Sequence, residues 1–115
     1  MATLEQKRAE YAWEIATKNA NGLFKRLAKG APALIMSNGL MPSLAFWWSK
    51  NDYQPIVTAI IGWLEKRKIV TKNEFSTAMV DLQKSDTIKF RNATEESLEF
   101  LKWLRNFASA VCKDE

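Results

Sequence analysis

The chain has 115 residues, 47% hydrophobic and 26% charged, with four glycines, three prolines, a net charge of +4 and a pI near 9.3. That length suits one domain over residues 1–115, with a real core and no staples, and the composition excludes a disordered or collagen-like chain. No apolar run approaches the ~20 residues of a membrane span, and the start Thr3-Leu4-Glu5-Gln6-Lys7-Arg8 carries mixed charge where a signal peptide is apolar, so a cytoplasmic location away from membranes is expected.

Thr3 and Gln6 make a Thr-x-x-Gln capping box, and Leu4, Ala9, Ala12, Trp13 and Ala16 follow at three- and four-residue steps, which predicts a first helix over about 4–18. Asn19-Ala20-Asn21-Gly22 is a breaker cluster. A second helical pattern runs through Leu23, Leu27, Leu34 and Ile35, and Gly30 with Pro32 is expected to bend or interrupt it. Ser37-Asn38-Gly39 reads as a stop, and Pro42 fits the first turn of a third helix that ends near Lys50.

Asp52 is placed to cap a fourth helix, with Pro55 in its first turn and Ile56, Ile60, Trp63 and Leu64 as the buried stripe. Thr71 to Glu74 offers a second capping box ahead of a short helix carrying Phe75, Ala78, Met79 and Leu82. Ser85-Asp86 then caps the longest helix, about 86–112. Ile69-Val70-Thr71 is the only β-branched run, too short for a sheet, so the fold is expected to be all-α, a compact single-domain bundle of five to six helices.

Histidine is absent, which removes the commonest general base and the commonest metal ligand together. Cys112 is the sole cysteine, so neither an internal disulfide nor a thiolate cluster can form. Glu95, Glu96 and Glu99 form the nearest approach to a carboxylate cluster, a pattern that more often solvates a helix than does acid–base work. With no phosphate loop or nucleotide fingerprint either, a non-enzyme without cofactor or metal is expected.

Binding is the remaining class of function, and cations and aromatics are its candidates. Lys25, Arg26 and Lys29 concentrate positive charge on one stretch of the second helix, either to track phosphates or as a solvated face. Lys66-Arg67-Lys68 ends the fourth helix, either to track phosphates or because the macrodipole favours cations there in any case. Lys50, Arg91 and Arg105 are flanked by apolar residues, and Arg91, Lys102 and Arg105 recur at spacings that line one edge of the last helix. The two arginines either reach phosphates there or pair internally with Glu95, Glu96 or Glu99.

Trp13, Trp63 and Trp103 lie on apolar faces and read as core. Adjacent Trp47 and Trp48 point about 100° apart and cannot both face one core, so one of them is a candidate protein-interface anchor, unless both are half-buried between helices.

Asn38-Gly39-Leu40, Leu44-Ala45-Phe46 with Ser49-Lys50, Tyr53 and Trp63-Leu64 are followed in this order by a longer C-terminal motif. It comprises Arg91, Ala93-Thr94, Glu96, Leu98, Phe100-Leu101, Trp103-Leu104-Arg105 and Phe107-Ala108. The combination resembles the small α-helical subunit of the Cmr complex, the type III-B CRISPR RNA-guided effector. The sequence departs from that pattern at Phe90, where a tyrosine often precedes the arginine, and at Trp47 and Trp48, commonly aliphatic positions.

The resemblance implies a non-catalytic structural subunit in antiviral defence. Its partners would be the other Cmr subunits, copies of itself in a stacked array, and guide and target RNA. It carries Lys50, Arg91 and Arg105 over as RNA-backbone contacts. The rival expectation is a helical adaptor that binds protein through an exposed aromatic surface and never touches nucleic acid.

Overall fold

The computed structural model describes residues 2–112. Among them the chain forms α1 (Leu4–Lys18), α2 (Gly22–Asn38), α3 (Leu40–Trp48), a 3-10 turn (Asn51–Tyr53), α4 (Gln54–Lys66), α5 (Phe75–Lys84) and α6 (Thr87–Val111). The fold is all-α, with six helices around one hydrophobic core.

The helix starts follow local chemistry where a side chain can reach its own backbone. Thr3 accepts from the Gln6 amide and Gln6 returns the bond to the Thr3 amide, which completes the expected box. Asn21 accepts from the Phe24 amide at 2.8 Å to open α2, and Asp86 accepts from the Lys89 amide at 2.8 Å to open α6.

Three expectations are corrected. Pro32 does not interrupt α2: it removes one ladder bond, and the burial of Phe24, Ala28, Ala31 and Ile35 along the same helix offsets the loss. Asp52 does not cap α4. It lies in the 3-10 turn, where the Tyr53 amide bonds the Lys50 carbonyl, and Pro55 in the first turn of α4 has no N–H to satisfy.

Thr71 does not form a box with Glu74 either. Its amide and hydroxyl both donate to Asp81 Oδ2 at 2.8 Å, because an ionised carboxylate is a stronger acceptor than a neutral backbone group, and this latches the α4–α5 loop onto α5.

Helix α6 is the spine, with α1, α2 and α4 packed along it. α1 turns a stripe of alanines inward, Ala12 and Ala16, against a helix that itself buries Ala93, Ser97 and Ala108. Larger side chains fill the middle. Trp63, Phe100, Leu101 and Leu104 are fully buried with Ile56, Ile60, Ile61 and Leu64, and the rings of Tyr11, Trp63 and Phe100 stack at 5.5–6.1 Å between centroids. No helix among the described residues is long and apolar enough to cross a membrane.

Candidate nucleic-acid interface

The cations of α2 stand on a helix that contains no acidic residue at all. Lys25 and Lys29 are one turn apart on the same stripe, and Lys25 Nζ donates to the Cys112 carbonyl at 3.2 Å. That bond satisfies an orphan carbonyl at the end of α6 and pins the start of α2 beside it, while the ammonium keeps its charge. Lys29 and Arg26 are exposed. The basic turn of α2 therefore lies next to the C-terminal part of α6.

On α6 itself, Arg91, Lys102 and Arg105 are all exposed and fall within about 60° of one another around the helix. Arg91 and Arg105 lie about 21 Å apart along the axis. Neither makes an ion pair among the described residues, and Glu96 and Glu99 are engaged by other cations.

Glu96 receives Arg8 Nη2 at 2.8 Å, Arg8 Nε at 3.3 Å and Trp63 Nε1 at 3.0 Å, with Arg67 Nε at 3.8 Å. Glu99 holds Lys102 Nζ at 3.1 Å. Burial pushes the Glu96 carboxyl up, and the hydrogen bonds and charges of its arginine and tryptophan partners more than offset this, so it stays below the usual glutamate range.

Lys50 stands apart from this edge. Its ammonium lies 5.2 Å from the centroid of the Phe46 ring, which Tyr53 meets edge-on at 6.3 Å. The tryptophan pair is inside: Trp47 is 4% exposed, and Trp48 is half-buried with its ring flat on Phe75 at 5.1 Å. The surface ring of α3 is Phe46 instead, 49% exposed.

Trp63 is core and Trp103 is half-buried, but Trp13 is 49% exposed. Ala12 and Ala16 decide that outcome, since they fix the face α1 turns to α6 and leave Trp13 about 80° off its centre. The alanine spacing was in the sequence; the partnership of Arg8 with Glu96 was not, since nothing local links residues 88 positions apart.

The cleft between α1 and the end of α4, about 430 Å³, is lined by Lys7, Glu10, Tyr11, Glu14, Trp63, Lys66 and Arg67. Acids and bases alternate there, and Lys66 sits over the Tyr11 ring at 5.1 Å. Among the described residues no three metal-ligating side chains converge.

The model of the family described as CRISPR-associated protein (Cas_Cmr5) matches residues 4–111. The X-ray crystal structure of a CRISPR-associated Cmr5 family protein from Thermus thermophilus aligns with a TM-score of 0.81 at 21% identity, covering 97% of this chain and 100% of that one. At that identity the structural likeness speaks for the fold, and the family match over nearly the whole sequence speaks for membership. The chain thus belongs to the Cmr5 family, the small-subunit family of the type III-B CRISPR Cmr complex.

Proposed function

We propose that this chain is a non-catalytic structural subunit of a cytoplasmic Cmr effector. Copies of it stack beside the guide–target RNA channel, against the other subunits, and contribute contacts to the RNA backbone. The observation that carries the RNA part is the cationic edge of α2 and α6, where an acid-free helix bearing Lys25, Arg26 and Lys29 is pinned to a helix bearing Arg91, Lys102 and Arg105. Lys50 adds a cation at the end of α3.

Guanidiniums on rigid helices can meet phosphates without reading bases, which suits a duplex recognised by shape. One subunit binds weakly, and an array gains from the high effective concentration of its neighbours. Because Arg91 and Arg105 have no ion-pair partner to lose among the described residues, reversing their charge should leave the fold intact.

The test is the double variant Arg91→Glu/Arg105→Glu in the assembled complex, with the isolated chain checked by circular dichroism. Target-RNA affinity should fall several-fold, and the slope of log affinity against log salt should shrink by about 0.7–0.9 per lost contact. Unchanged affinity and slope would remove this edge from the RNA interface. An unfolded variant would make the arginines structural.

A further inference from the structure

The rings of Trp13, Phe107 and Trp103 form a surface cluster between α1 and α6. Trp13 meets Phe107 edge-on at 5.3 Å and 87°, and Trp103 tilts against Phe107 at 5.7 Å. Carboxylates stand beside these rings. Glu5 Oε1 accepts the Trp103 indole N–H at 2.9 Å, Glu10 is exposed one turn before Trp13, and Glu99 is one turn before Trp103.

Lys102 pairs with Glu99, and Arg8 with Glu96 and Glu5, with only 11% of the Arg8 side chain exposed; Glu10, one turn before Trp13, makes no ion pair among the described residues. Trp103 and Phe107 stand about 160° around α6 from Arg105, on the opposite flank from the basic edge.

We propose that this cluster is a docking site for an arginine side chain presented by a partner protein. A planar guanidinium stacks on an indole face and at the same time pairs with a carboxylate, and Trp13 with Glu10, exposed one turn before it, offers that combination. A phosphate-bearing partner is disfavoured, because the carboxylate of Glu10 would repel it. The proposal deepens the assembly role by naming the flank that meets protein, and rests on that role only in taking the partner to be a neighbouring subunit.

The isolated chain, labelled with ¹⁵N, is titrated with a hexa-arginine peptide while its indole N–H signals are followed. The Trp13 and Trp103 signals should move saturably and that of buried Trp63 should not. Trp13→Ala, at a surface position, should weaken binding about tenfold; Glu10→Gln, which removes the charge beside Trp13, about threefold.

The proposal is overturned if the peptide moves all indoles alike or none, or if Trp13→Ala binds as tightly as the parent chain. It also falls if an RNA oligonucleotide moves Trp13 where the peptide does not, or if the Trp13 signal follows only the concentration of the chain, which would assign the face to a second copy. None of these outcomes bears on RNA capture through the opposite edge, which the charge-reversal experiment tests separately.

Discussion

Gly62 lies buried in the middle of α4 because the Tyr11 hydroxyl occupies the space that a side chain there would need. A Cβ at this position would meet Tyr11 Oη far inside contact distance and Asn73 Nδ2 at 3.0 Å. Gly62→Ala should therefore cost about 1–3 kcal/mol through forced repacking, read as a lower urea midpoint at unchanged slope. Adding Tyr11→Phe should recover part of the loss, since the closest atom is the oxygen.

Glu96 carries a prediction of a different kind. Its carboxyl is held below the usual glutamate value in the folded chain, so its contribution to stability is present above the unfolded value of about 4.3 and lost as pH falls through the folded one. Glu96→Gln should lower stability by about 1–2 kcal/mol at neutral pH and converge with the parent chain in acid, as measured by thermal unfolding from about pH 7 to pH 3. Neither residue announced its role in the sequence. Gly62 and Glu96 take their meaning from Tyr11 and Arg8, which local spacing cannot connect to them.

Among the elements, α4 ends most tellingly. The Ile69 amide bonds the Leu64 carbonyl and the Lys68 amide bonds the Glu65 carbonyl, a Schellman closure that places Lys68 at φ 62°. A lysine pays for that left-handed conformation where a glycine would not. Lys68→Gly should raise stability by about 0.5–1 kcal/mol, or about 2–6 °C in Tm for a chain of this size.

The helices themselves were legible wherever the deciding bond is local. Thr3 and Asp86 reach amides three residues on, and the boundaries of α1 and α6 follow from them to within a residue or two. Asp52 and Thr71 misled for the opposite reason. A 3-10 turn absorbed the amides that Asp52 was meant to serve, and Asp81, ten residues away, captured Thr71.

At the scale of the molecule, the all-α architecture was readable because apolar residues recur at helical spacing throughout and no strand alternation competes. The orientation of aromatic rings was not. Trp47 went inside and Trp48 found Phe75, a ring on another helix that local spacing cannot connect to it; only for Trp13 did the sequence hold the deciding signal, the Ala12 and Ala16 spacing. The basic edge was legible as charge, but which of its cations are paired was not: Lys102 holds Glu99, while Arg91 and Arg105 make no ion pair among the described residues.

The packing of α1 against α6 also bears on synthesis. The alanine face of α1 finds its main partner in the last helix, whose first residue follows the end of α1 by about 70 positions. A helix of 15 residues is marginal in water by itself. At translation rates of about 5–20 residues per second, the emerging N-terminal segment waits roughly 4–14 seconds for the surface that will hold it. Closure of the core thus waits on α6, and until that helix leaves the ribosome the nascent chain must keep an unmatched alanine face out of reach of its neighbours.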